Sequence, residues 1–104
     1  MNTTPTAVVS IDVHGEKKTG TAIGIGPVDA AINAIKAVMG NDISLEEYRL
    51  SAITGGSDSL CEVTVRVSRN GGKKTMSIGK AVGTDIVQTS VDSTMEALDR
   101  LFSR

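Results

Sequence analysis

Hydrophobic and polar positions alternate along the first stretch of the chain. Ala7, Val9, Ile11 and Val13 fall on one side, and Ser10, Asp12 and His14 on the other. A period of two predicts a half-buried strand. His14-Gly15-Glu16 reads as a tight turn. Residues 17–25 read as a second strand, with Thr19, Thr21, Ile23 and Ile25 on one face, pairing back as an antiparallel hairpin. The period then lengthens. Val28, Ala31, Ile32, Ile35, Val38 and Met39 recur at helical spacing and predict an amphipathic helix of about three turns. Pro27 suits its first position, where no N–H is needed. Asp29 complements the positive end of its dipole, and Gly40-Asn41 closes it.

Three strands and a helix follow. Tyr48, Leu50 and Ala52 alternate inward within residues 45–54, and Gly55-Gly56-Ser57-Asp58 is turn-forming. Cys61, Val63, Val65 and Val67 alternate with Glu62, Thr64, Arg66 and Ser68, the clearest strand pattern in the chain. Asn70-Gly71-Gly72 predicts a hairpin turn, and residues 73–82 return through Met76 and Ile78. Thr84 is the expected N-cap of a last helix. Its apolar face carries Val87, Val91, Thr94, Met95, Leu98, Leu101 and Phe102, and its wet face Gln88, Asp92, Glu96, Asp99 and Arg100. The order ββα then βββα predicts an α+β fold: two β-rich units, each ending in an amphipathic helix, with helices on one face of antiparallel sheet. Gly24-Ile25-Gly26-Pro27-Val28-Asp29 and Ala81-Val82-Gly83-Thr84-Asp85-Ile86 are weakly similar, as an internal duplication would leave them.

Length and charge narrow the role. A chain of 104 residues is expected to be a single domain, residues 1–104. Eleven basic against twelve acidic side chains leave a net charge of -1, which argues against nucleic acid and against a polybasic membrane surface. Tyr48 and Phe102 are too few for base stacking. One cysteine makes neither a disulfide nor a thiolate metal cage. No apolar run approaches the roughly 20 residues of a membrane span, and residues 1–5 lack a charged-then-apolar leader. The cytoplasm is the expected location. A core without large aromatics gives a weak expectation of a second subunit.

Catalytic chemistry finds no support. His14, the lone histidine, reads as a solvated turn residue, and Cys61 as a small buried hydrophobe. Glu46 and Glu47, adjacent on a strand, point to opposite faces and cannot share a proton. Lys17-Lys18 and Lys73-Lys74 read as solvated edge charges. No catalytic residue, metal ligand or cofactor is expected. The glycine-flanked segment Gly24–Asp29 fails as a dinucleotide fingerprint, because Asp29 stands where the third glycine belongs. Two readings stay open. In one, the glycines only turn a strand into a helix. In the other, N–H groups at the helix start hold a small carboxylate and Asp29 meets an ammonium, which together describe a free amino acid. Tyr48 is likewise either a core residue with its hydroxyl at the boundary or the wall of a pocket beside this turn.

Five blocks in order, Gly24-x-Gly26-Pro27-Val28-Asp29-Ala30-Ala31, Leu45-x-x-Tyr48, Ala52-Ile53-Thr54-x-Gly56, Glu62-Val63-x-Val65 and Gly83-Thr84-Asp85-Ile86-Val87-x-x-Ser90, resemble the C-terminal regulatory domain of the 2-isopropylmalate and citramalate synthases, over about residues 8–102. The resemblance implies an intertwined homodimer that binds a branched-chain amino acid, leucine or isoleucine, and feedback-inhibits a metal-dependent barrel domain. That barrel is the site of catalysis and none of it is present in these residues; a separate catalytic synthase subunit is among the partners the resemblance allows. It further implies that Gly24, Ile25, Gly26, Pro27, Val28, Asp29 and Ala30 contact the effector, that Tyr48 lines its pocket, and that Asp85 and Ile86 face it across the dimer. Asn commonly stands between the two glycines in the family, and Ile25 takes its place here. The alternative role is an assembly-only module that dimerises or docks on a catalytic subunit without an effector.

Overall fold

The computed structural model describes residues 3–40, 42–53, 59–70 and 75–103. Seven elements follow in the order β1 (Thr6–Val13), β2 (Glu16–Ile23), α1 (Pro27–Met39), β3 (Ile43–Ile53), β4 (Leu60–Arg69), β5 (Thr75–Gly83) and α2 (Ile86–Phe102). The chain divides into two compact units, Met1–Asn41 and Asp42–Arg104. The α+β architecture, ββα followed by βββα, is the one the pattern predicts. Among the described residues no helix is long and apolar enough to cross a membrane.

In the first unit, β1 and β2 pair antiparallel from Thr6 opposite Ile23 to Val13 opposite Glu16. His14 and Gly15, both with positive φ, make the two-residue turn whose twist suits a hairpin. Ile11 is buried, and Ala7, Val9 and Val13 are half-buried, as the alternation predicts. The expected end of β2 at residue 25 is corrected to Ile23, and the face that Thr19, Thr21 and Ile23 share is the outer one. Thr19, Thr21 and Ile23 face solvent, Ile25 lies beyond the end of the strand, and the inward positions are Gly20 and Ala22. The reason is steric. A Cβ on Gly20 would collide with the Ala34 carbonyl oxygen and come within 2.7 Å of Val38 Cγ2, so α1 lies against bare backbone. The buried stripe of α1 is therefore Ala30, Ala31, Ile32, Ala34 and Ile35, with Val28, Val38 and Met39 at its margins.

In the second unit the strand order is β3-β4-β5, all antiparallel. Val63, Val65 and Val67 of β4 are fully buried beneath α2. A bulge between Leu45 and Glu47 shifts the register of β3. Glu47 pairs with Arg49 at 2.7 Å and Arg66 at 3.5 Å, while Glu46 accepts from the Ser68 hydroxyl. The buried face of α2 differs from expectation. Thr89, Ser90, Ser93, Thr94, Ala97, Leu98 and Leu101 are buried, whereas Val87, Val91 and Met95 sit at the margin and Phe102 is exposed. Small side chains let the helix descend onto Gly79, where a Cβ would strike the Ser93 carbonyl. The hydroxyls do not remain orphaned in that dry seam. Ser93 Oγ lies 3.0 Å from the carbonyls of both Val63 and Gly79, and Thr94 Oγ1 donates to the Ser90 carbonyl at 2.8 Å. The expected loop at residues 55–58, most of the Asn70-Gly71-Gly72 turn, Lys73-Lys74 and Asn41 lie outside the described residues.

Candidate functional site

Gly24 leaves β2 by donating its N–H to the Pro5 carbonyl at 3.2 Å. Within one turn of chain the helix begins, and the space at Gly24 is taken. A Cβ there would collide with Ala30 N and stand 2.6 Å from Asp29 Oδ2. Asp29 folds back across the turn, accepting from Ile25 N–H at 3.0 Å, with Asn33 Nδ2 at 3.5 Å from the same oxygen. Asn33 Nδ2 also donates to the Ile23 carbonyl at 3.0 Å. Gly26 is the N-cap, with extended backbone and no side-chain cap, and Pro27 follows in the first turn. The Gly26 carbonyl accepts from Ala30 N–H at 2.9 Å. That leaves the N–H groups of Val28 and Asp29 without a partner from a capping side chain, at the positive end of the α1 dipole. Beside them Ile25 is 97% exposed, an unusual surface position for an isoleucine in a turn.

The second unit gathers the other three predicted residues around one helix end. Tyr48 is half-buried, and its hydroxyl lies 2.6 Å from Ser90 Oγ. Ser90 Oγ donates to the Ile86 carbonyl at 2.7 Å. Tyr48 is thus tied to the first turn of α2. Asp85, and not Thr84, is the N-cap, its Oδ1 accepting from Gln88 N–H at 3.0 Å. A carboxylate reaches one residue further into the turn than the sequence pattern singles out. The two helix starts are chemically unlike: Asp85 accepts from Gln88 N–H of its own helix, whereas Asp29, in the first turn of α1, accepts from Ile25 N–H outside the helix. Leu50 and Ala52, which share Tyr48's face of the sheet, are exposed, because α2 lies over β4 and β5 rather than β3. With Ile86, 46% exposed, they leave an apolar shelf beside the helix.

Asn33, the clamp on the turn, carries no signal in the sequence, and Ser90, the partner of Tyr48, stands there only as the last residue of a family block. Both are polar residues at helical positions, visible only when a contact appears. His14 is exposed in its turn and Cys61 is buried, as expected. Among the described residues, no group of three or more His, Cys, Asp or Glu is placed to hold a metal. A shallow depression lies elsewhere, on the sheet face away from α2, lined by Glu47, Arg49, Thr64, Arg66 and Ile78.

Comparison with known proteins converges on one family. The model of the LeuA allosteric (dimerisation) domain matches residues 1–102. The chain is 45% identical over 98 residues to a probable 2-isopropylmalate synthase of Archaeoglobus fulgidus, covering 94% of this chain and 19% of that protein. It is 41% identical over 100 residues to the 2-isopropylmalate synthase of Methanocaldococcus jannaschii, covering 96% and 19%. It is 42% identical over 102 residues to a putative (R)-citramalate synthase of Methanoculleus marisnigri, covering 96% and 20%. The chain spans about a fifth of the length of these curated relatives.

Proposed function

The chain belongs to the LeuA allosteric (dimerisation) domain family, and from that premise we propose that it is a non-catalytic cytoplasmic homodimer binding a branched-chain amino acid to regulate a synthase of the isopropylmalate type. The observation that carries this reading is the start of α1, where two N–H groups lie open at a helix N-terminus beside an exposed isoleucine. The effector's carboxylate accepts from Val28 and Asp29 N–H, held by charge-assisted hydrogen bonds. The free oxygen of Asp29 faces the ammonium. The branched side chain covers Ile25, and its transfer out of water contributes about 2 kcal/mol. As the resemblance implies, Tyr48 lines the pocket, and Asp85 and Ile86 face it across the dimer. The apolar shelf of Leu50, Ala52 and Ile86 supports dimerisation, since it removes these side chains from water. Binding regulates only to the extent that the effector favours one dimer arrangement over another.

The second reading is an assembly module that holds a separate catalytic subunit without an effector. Two features favour it. Asp29 Oδ2 is already engaged by Ile25 N–H, and Ile25 offers no polar side chain to a ligand.

Isothermal titration of the chain with leucine, isoleucine and valine, paired with sedimentation equilibrium, separates the two. The proposal expects a dimer and saturable heat with at least one of the three. A dimer with neither heat nor a rise in melting temperature at millimolar ligand refutes effector binding and leaves assembly alone.

A further inference from the structure

The turn between β2 and α1 is braced by a side chain that the effector reading leaves without a role. Asn33 stands one helical turn after Asp29 and is half-buried. Its Nδ2 carries two hydrogens. One goes to the carbonyl of Ile23, the last residue of β2, at 3.0 Å. The other turns to Asp29 Oδ2, which lies at 3.5 Å and also accepts from Ile25 N–H at 3.0 Å. One amide thus ties the end of the strand to the acidic side chain of the helix. Oδ2 lies 2.6 Å from where a Cβ of residue 24 would stand, so the bare glycine makes room for it. Both bonds fall on Oδ2, and Oδ1 takes no donor among the described residues.

The second unit supplies a control within the same chain. Gly79 and Gly83 precede Ile86 at the spacing with which Gly20 and Gly24 precede Pro27, and both glycine pairs lie tight against their helices. On this correspondence Asp29 matches Gln88, and Asn33 matches Asp92. That pair is bonded too, Gln88 Nε2 donating to Asp92 Oδ1 at 2.9 Å. Donor and acceptor are exchanged, both side chains are exposed, and among the described residues neither bonds to the preceding strand. Reaching back to the strand end is therefore a property of Asn33 and not of the fold.

We propose that Asn33 is a positioning residue that makes the start of α1 select an α-amino acid over a carboxylic acid of the same skeleton. The proposal rests on the effector reading given above. Asp29 is exposed, and a surface carboxylate held by one bond keeps much of its rotamer freedom. A second donor, itself fixed to the strand end, holds Asp29 folded across the turn with Oδ2 occupied. Oδ1 is then the acceptor left for an ammonium, in the same turn as the N–H groups of Val28 and Asp29. Fixing it before the ligand arrives removes part of the ordering cost of binding. Asn33 touches no ligand and acts through Asp29. An acid without an ammonium needs only the N–H groups and the apolar cover, so it is indifferent to Asn33.

Isothermal titration of the full chain compares each amino acid with the acid that lacks its ammonium: isocaproate for leucine, β-methylvalerate for isoleucine and isovalerate for valine. The unmodified chain should prefer the amino acid by about tenfold or more, as one charge-assisted hydrogen bond provides. Asn33→Ala, a substitution that suits a helix, should cut that preference to about threefold or less, with binding of the acid unchanged. Asp29→Asn, which keeps an oxygen for Ile25 N–H but no charge, should cut it as far. Adding Asn33→Ala to Asp29→Asn should then change the ratio no further. A purely structural asparagine would weaken acid and amino acid together. Equal loss for both ligands in Asn33→Ala, or a preference kept intact, overturns the inference and leaves the effector site standing. If no amino acid binds the unmodified chain, the effector reading falls and this inference falls with it.

Discussion

Gly26 is where the chemistry of a single side chain discriminates most between competing roles. Its extended backbone suits any residue, and a Cβ there meets nothing within 4 Å. Gly26→Ser therefore adds a cap to the bare start of α1. Stability should rise by a few tenths of a kcal/mol, because serine caps only slightly better than glycine, while leucine affinity falls as the serine hydroxyl competes for the same N–H groups. Chemical denaturation and isothermal titration on one preparation read both effects. An affinity unchanged by the cap would place the effector elsewhere. Asp85 plays the converse part at α2, where its carboxylate already accepts from Gln88 N–H. Asp85→Ala should cost about 1 kcal/mol of stability, and Tyr48→Phe, which strips the hydroxyl from Ser90, a similar amount. Urea melts of the two single variants and the double variant check this. A loss well below about 0.5 kcal/mol in each would mean that neither bond contributes appreciably.

At the scale of elements, the strands and their order were legible because period-two alternation survives wherever one face is buried, as in Val63, Val65 and Val67. Which face of β2 turns inward was not legible. The pattern favours the β-branched Thr19, Thr21 and Ile23, but close approach of α1 selects Gly20 and Ala22. The same physics misled the reading of α2, where hydrophobicity points to Val87, Val91 and Phe102 while the seam itself is built of Ser90, Ser93, Thr94 and Ala97. Small residues announce a close contact only once the opposing backbone is known. Gly79→Ala should expose this dependence, because the added methyl would stand 2.6 Å from Ala97 N and 2.9 Å from Ala97 Cβ as well as against the Ser93 carbonyl. We expect a loss of about 2–3 kcal/mol in urea denaturation. A loss within about 0.5 kcal/mol would show that α2 can lift from the sheet without cost. The turn around Gly24 was legible as a strand-to-helix turn from its glycines and the start of α1. Its internal wiring was not, because the bond from Ile25 N–H to Asp29 depends on a side chain folding back over residues that carry no pattern.

For the whole molecule, family membership accounts for features that an isolated chain leaves unexplained. Ile25, Leu50, Ile53 and Ile86 stay exposed, and α1 begins without a cap, as surfaces do that are covered by a ligand or another subunit. The relatives are about five times as long as the segment matched here, and that segment is the allosteric (dimerisation) domain of their family. The central claim is that an amino acid docks on the open N–H groups of α1. Amide nitrogen–proton correlation spectra of the full chain during a leucine titration test it residue by residue. The account predicts saturable shifts at Val28 and Asp29, with Ile25 following and the same titration weakened in Gly26→Ser. Spectra in which these amides stay fixed up to millimolar leucine, isoleucine and valine would contradict it.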